Sequence, residues 1–226
     1  MKTTNKILLA LLGVLMVLLT AFKIGFNSRV EVVPKSIEAG FDIIKMHLED
    51  FNDLRIDGRF DVTIKQADSN YVEVTGPDLL VNKYSLISSE NGKLKISSRI
   101  DFGKYLQEVR VFITAKDLSK IKLSSGAVVT MNDWNTKNLD ISTADTAMIT
   151  IFGQLQNVNV KSIDNSLVIV DNAVDADLNL NGTSQVSMSM NGGVLKGTIN
   201  DNVDFGFDGN IKANEVVDNR KTISVK

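Results

Sequence analysis

From Phe41 onward, apolar and polar residues alternate with a period of two, the pattern of strands that bury one face. Leu54-Arg55-Ile56, Val62-Thr63-Ile64, Val72-Glu73-Val74, Leu94-Lys95-Ile96 and Val109-Arg110-Val111 all carry it. Asn91-Gly92 separates Leu86-Ile87 from Leu94-Lys95-Ile96, and that dipeptide between alternating runs predicts a tight hairpin turn. No apolar stripe at helical spacing lasts more than two turns, although Leu79 to Tyr84 has room for one short turn of helix.

The second half repeats. Alternating pairs at Ile121/Leu123, Leu139/Ile141, Val158/Val160, Leu178/Leu180 and, more weakly, Gly197/Ile199 recur at about 18–20 residues. A small polar stretch follows each: Ser124-Ser125-Gly126, Ser142 to Asp145, Ser162 to Asn165, Asn181 to Ser184, and Asn200 to Asn202. A second set of pairs comes next, at Val129/Met131, Ile149/Ile151, Val168/Val170, Met188/Met190 and Phe205/Phe207. A fixed period in this range predicts stacked coils. One coil cannot bury its own inward side chains, but coils on either side cover them, so stability becomes a sum over neighbours. The polar stretches fall where the chain must turn, and Asn, Asp and Gly accept left-handed backbone angles there. A β-sandwich also gives short strands with regular turns, but the near-constant coil length favours a solenoid.

The N-terminus is of a different kind. Lys2 and Lys6 precede an uncharged run from Ile7 to Phe22, and Lys23 follows it. As a helix this run spans roughly 24 Å, and a snorkelling Lys23 would extend the buried length to Phe26. The length predicts a membrane anchor over residues 1–26 with the amino terminus in the cytoplasm. The alternative is a cleaved export signal, for which Leu19-Thr20-Ala21 is the best but an imperfect cleavage site. Residues 27–40, with Pro34 and Gly40, read as a linker, and 41–226 as the folded domain.

Composition narrows the function. The formal net charge is -2 and the chain has no cysteine, so disulfides, thiolate metal sites, a cysteine nucleophile and a lipidated cysteine are all excluded. One Trp among 6% aromatic residues and no basic balance argue against nucleic acid, which needs stacking rings on a basic groove. Phosphate-binding glycine motifs and a Gly-x-Ser-x-Gly nucleophile elbow are absent.

The stretch Phe51-Asn-Asp-Leu-Arg-Ile-Asp-Gly-Arg-Phe-Asp-Val-Thr-Ile resembles the opening of head GIN domains, the putative autotransporter adhesin family common in Bacteroidetes. Ile113-Thr-Ala-Lys-Asp-Leu-Ser-Lys-Ile-Lys-Leu-Ser-Ser-Gly-Ala is similar to a later part of the same family, and the likeness extends over roughly residues 41 to 226. It implies a right-handed parallel β-helix-like fold, an exported or membrane-anchored location and no established enzymatic activity. Asn165-Ser166 and Thr183-Ser184 depart from it, standing where a Ser-Gly-Ser-Gly type of turn is more usual.

Few residues suggest chemistry. His47 is the only histidine, with Glu49 and Asp50 nearby, and reads as an exposed polar residue. Asp140, Asp145, Asp164, Asp171 and Asp201 fall in or beside the coils. A polysaccharide-cleaving groove would need two such carboxylates, Asp145 and Asp164 being the candidates, whereas turn formation and solubility account for them without chemistry. Gly192-Gly193 lacks the aspartate pattern of calcium-binding solenoids, and Met188 and Met190 read as core fillers. The expectation is therefore an all-β, right-handed parallel β-helix or solenoid with short coils, preceded by one hydrophobic helix. Catalytic, cofactor-binding and metal residues are expected to be none, and cofactors none. The expected role is a non-enzymatic envelope protein, single-pass in the inner membrane with its domain in the periplasm, binding a glycan or an envelope protein and no nucleic acid. A carbohydrate-active enzyme on the same scaffold, or an envelope sensor, is the alternative.

Overall fold

The computed structural model describes residues 40–100, 108–200 and 202–220. The hydrophobic run within 1–26 and the expected linker up to residue 39 lie outside them, as does Asp201. Among the described residues no helix is long and apolar enough to cross a membrane.

The alternating segments all form strands: β1 (Phe41–His47), β2 (Asp53–Asp57), β3 (Asp61–Gln66), β4 (Tyr71–Pro77), β5 (Ser85–Glu90), β6 (Lys93–Ser98), β7 (Arg110–Ala115) and β8 (Lys120–Ser124). Five long strands follow: β9 (Val128–Thr143), β10 (Met148–Ser162), β11 (Leu167–Leu180), β12 (Gln185–Ile199) and β13 (Asp204–Asp218). The single helical turn expected near residue 80 is present at Leu79–Tyr84. The hairpin between β5 and β6 turns at Asn91 and Gly92, whose φ angles of 52° and 72° fit the favoured two-residue turn.

Each long strand serves two walls of a solenoid. The first half of β9 pairs in parallel with β3, and its second half pairs with β8. The halves of β10, β11, β12 and β13 continue both ladders in parallel register. One wall therefore runs β1-β4-β7-β3 and then the first halves of β9 to β13, while the other runs β5-β6-β2-β8 and then the second halves. At one edge the chain reverses through the predicted polar stretches, with left-handed residues at Ser125, Gly126, Asp145, Thr146, Asp164 and Gly182. At the opposite edge it passes from wall to wall without leaving the strand, by slips of register in each long pairing. Such bulges bend a strand sharply.

The early strands are not a simple cap of hairpins. The antiparallel pairs β1-β4 and β5-β6 close one end. However, β2 lies between β6 and β8, and β3 lies between β7 and β9, so residues 53–66 supply a coil that later chain encloses on both sides.

Inward side chains stack in columns. Val62, Val129, Ile149, Val168 and Val186 form one, and Ile64, Met131, Ile151, Val170 and Met188 form the next; all are buried in one apolar cluster. Each such side chain contributes about 1.5–3 kcal/mol relative to exposure. The columns correct the frame of the sequence repeat. Val186 and Met188, rather than Met188 and Met190, stand opposite Val168 and Val170, and Met190 faces Ala173 at the bulged edge. Similarly Val158 and Val160 face Ala176 and Leu178, leaving Leu180 opposite Ser162. Frames two residues apart alternate identically, so periodicity alone does not separate them.

One inward corner is polar. Thr143 Oγ1 lies 2.9 Å from Ser162 Oγ and 3.1 Å from Ser166 Oγ, and the two serine hydroxyls are 2.6 Å apart. All three residues are buried. Together they satisfy one another where the coil narrows into its turn, as buried hydroxyls must.

The bulged edge needs backbone approach too close for a side chain. A Cβ on Gly153 would overlap the carbonyl oxygen of Trp134, whereas one on Gly206 would meet nothing within 4 Å. Gly153→Ala is expected to lower stability by about 1–3 kcal/mol, and Gly206→Ala to change it by under about 0.5 kcal/mol. Chemical denaturation of the two variants beside the parent checks this, and equal stabilities would contradict the close approach at residue 153.

Candidate functional site

The bulged edge also carries a concavity. Because each long strand turns the corner here, the residues flanking its bulge point away from the core and line up from coil to coil. They enclose a groove of about 750 Å³ whose lining includes Gln66, Asn135, Asn138, Gln154, Gln156, Asn172 and Asn191, with Asp117 and Lys137 beside them. Amides dominate the lining, and an amide offers both a donor and an acceptor.

Some of these amides hold the wall together. Gln66 Nε2 donates to Lys116 O at 3.2 Å and to Asn135 O at 3.1 Å, while its Oε1 accepts from Asn135 N at 3.0 Å. One side chain thereby ties the early coil to the β7–β8 connection and to β9. Asn157 Nδ2 donates to Asn138 Oδ1 at 3.0 Å, and Asn191 Nδ2 to Asn172 Oδ1 at 3.2 Å. At the turn edge, Asn219, Asn200 and Asn181 form a matching ladder at 3.0 and 2.6 Å. Others are unengaged. The side chains of Gln154 and Gln156 are exposed and make no hydrogen bond among the described residues.

The residues singled out for chemistry are dispersed. His47 ends β1 on its exposed face, with its ring centroid 5.4 Å from that of Tyr71. Asp145 and Asp164 are left-handed turn residues, with φ of 52° and 56°. Asp145 lines a second recess of about 750 Å³ with Arg59 and Arg99, and Asp164 is not part of that lining. Asp140 accepts from Asn159 Nδ2 at 2.6 Å on an outer wall. Asp171 is exposed on β11. Gly193 is buried where a Cβ would meet the Val174 carbonyl, so the Gly-Gly pair serves the bulge. Met188 and Met190 are core, as their spacing predicts. Among the described residues no group of three or more metal-ligating side chains gathers.

The shifted carboxyls lie outside the groove lining, and three of them belong to ion pairs. The Lys116 ammonium, 2.8 Å away, holds Asp50 below the usual carboxylate range. Hydrogen bonds from Lys45 and Tyr71 do the same for Glu73, and Arg220 brings Asp218 down to about 2. All lie at the surface, Glu73 half-buried there, and such pairs stabilise little.

The sequence of residues 50–188 matches the model of a family described as "putative auto-transporter adhesin, head GIN domain". The chain belongs to the head GIN domain family. No curated protein matches it. Among solved structures, this head GIN domain is similar to a putative adhesin from Bacteroides fragilis, at 16% identity and a TM-score of 0.62, over 80% of this chain and 94% of that one. At that identity the likeness shows the shared fold. Parabacteroides merdae has a putative adhesin that matches at 14% identity and a TM-score of 0.43, over 82% of this chain and 98% of that one. A putative lipid binding protein from Parabacteroides distasonis matches at 14% identity and a TM-score of 0.46, with the same shares covered.

The amide groove was not singled out from the sequence. Its signal is the spacing of asparagines by 19 residues, at 138/157 and 172/191, a spacing that the turn-edge ladder 181/200/219 shares. Gln66→Ala is expected to remove three hydrogen bonds across the groove wall, destabilising by about 1–3 kcal/mol and hastening exchange of the Asn135 amide proton. Hydrogen exchange resolved to that amide checks it, and unchanged protection would show that Gln66 does not tie the coils.

Proposed function

We propose that this head GIN domain is a non-enzymatic binding module of the cell envelope, and that its amide groove grips a hydroxyl-rich ligand, a glycan or a glycan-bearing envelope partner. The observation that carries this reading is the pair of unengaged glutamine amides, Gln154 and Gln156, beside a lining already built of amides. A sugar hydroxyl both donates and accepts, so it complements a surface whose groups also do both. The groove spans successive coils, which suits a chain molecule with repeated hydroxyls.

A lipid ligand, as the name of the Parabacteroides distasonis neighbour suggests for that protein, calls for a concave site with mostly apolar walls; these walls are amides. An enzyme cleaving polysaccharide calls for two carboxylates converging on one bond, and the candidate pair serves as turn residues instead. The uncharged run of residues 7–22 and the relatives named as adhesins support a location in the cell envelope. We place the domain outside the inner membrane, tethered by that run acting as a single-pass anchor or released after its cleavage.

The test is binding of the purified chain to a panel of neutral polysaccharides, dextran, mannan, xylan and arabinogalactan among them. At least one is expected to bind. Gln154→Ala with Gln156→Ala is expected to weaken that binding about tenfold, or roughly 1.4 kcal/mol, while the melting temperature stays put because both side chains are exposed. Binding indifferent to the double substitution would refute the groove, and release of new reducing ends would refute the non-enzymatic reading.

A further inference from the structure

The outer face of the second wall carries two adjacent rows of side chains, each crossing the strands in register. The first row reads Glu90, Lys93, Asp53, Lys120, Asp140, Asn159, Asp177, Lys196, Glu215. Its charges alternate, and opposite neighbours approach each other: Lys93 Nζ is 3.7 Å from Asp53 and Lys196 Nζ is 3.3 Å from Asp177. Alternation of this kind is what cross-strand stability selects.

The second row, two residues along each strand, reads Ser88, Lys95, Arg55, Lys122, Ser142, Lys161, Asn179, Thr198, Val217. It contains four cations and no acid. Lys95, Arg55 and Lys122 are immediate neighbours on three strands, an arrangement that costs stability because like charges face one another. None of the four makes an ion pair or hydrogen bond among the described residues, and Arg55 Nε is buried without a partner. Asp57, the next outward position on β2, accepts from the hydroxyls of Ser124 at 3.0 Å and Ser125 at 2.7 Å. At about 4.8 Å per strand, the cations run over roughly 19 Å along the stacking direction.

We propose that this row is a binding site for a linear acidic polysaccharide lying along the solenoid. A line of cations one residue wide matches a polymer with repeated carboxylates along its length. A membrane surface is flat and would press its anionic headgroups onto the neighbouring row as well, where Asp53, Asp140 and Asp177 repel them. Single-stranded nucleic acid needs stacking rings, and the row contains no aromatic residue. The site is separate from the amide groove and does not depend on it.

The experiment uses the full chain in detergent, with fluorescently labelled polygalacturonate as the probe, at low and at physiological salt. The wild-type chain binds the probe, and binding weakens as salt rises. Lys95→Gln with Lys122→Gln weakens it at least about tenfold, whereas Lys93→Gln with Lys120→Gln, which removes the same charge from the alternating row, changes it less than about twofold. The first pair also raises the melting temperature by relieving repulsion, a change that loss of folding would not produce. Failure of the wild type to bind polygalacturonate, or equal losses in the two double variants, overturns the proposal. It is also overturned if phosphatidylglycerol vesicles or single-stranded DNA are bound through Lys95 and Lys122 in preference to polygalacturonate.

Discussion

Register between neighbouring coils is the constraint from which the rest of this molecule follows. Parallel in-register pairing fixes which residue of one coil sits over which residue of the next, so a side chain's surroundings are set by the residue one coil away. That single rule produces the aliphatic columns inside, the Thr143-Ser162-Ser166 hydroxyl cluster at the turn, and the asparagine ladders along both edges. A side chain that would be weak alone becomes one member of a series. The same rule converts a pattern of single residues into extended surfaces, which is why the recognisable features here are rows and grooves instead of a cluster of reactive groups.

The two edges of the coil differ in how they redirect the chain, and the difference decides where a groove forms. The turn edge leaves the strand and returns through left-handed Ser, Asp and Gly residues, filling its own corner with hydroxyls. The opposite edge keeps the strand and bends it by bulges at Trp134/Gly153 and at Asn191/Gly193. Bulges displace flanking side chains from the regular alternation, and the displaced groups are the amides that line the groove. Outward rows on the flat walls retain the alternation, so their charge sequences stay legible from strand to strand.

Much of the fold could be read in the chain. Strand positions, the Asn91-Gly92 hairpin, the polar turns and the stacked-coil architecture all follow from local alternation and from the repeat. The exact frame could not, because Met188/Met190 and Val186/Met188 alternate alike, and inward Ala176, Thr143 and Ser162 do not look apolar enough to mark their columns. The placement of residues 53–66 was also hidden: Leu54-Arg55-Ile56 and Val62-Thr63-Ile64 announce strands, but nothing near them specifies that their partners lie at 93–98, 110–115, 120–124 and 128–132. The candidate surfaces were the least legible. Lys95, Arg55, Lys122 and Lys161 are far apart in sequence and acquire a common line only through register, and Gln66 meets Asn135 across 69 residues.

The enclosed early coil bears on what happens when the chain is pulled from its N-terminal side. A plain solenoid gripped at an end coil unravels by peeling, one ladder at a time, under a modest load. Here β2 and β3 are each flanked on both edges by strands that come later in the chain, so tension reaching residue 53 has to shear two ladders together on each wall. The coil formed by residues 53–66 is thus the one that resists force by parallel rupture of many backbone hydrogen bonds, and the coils beyond it are shielded from that force until it yields.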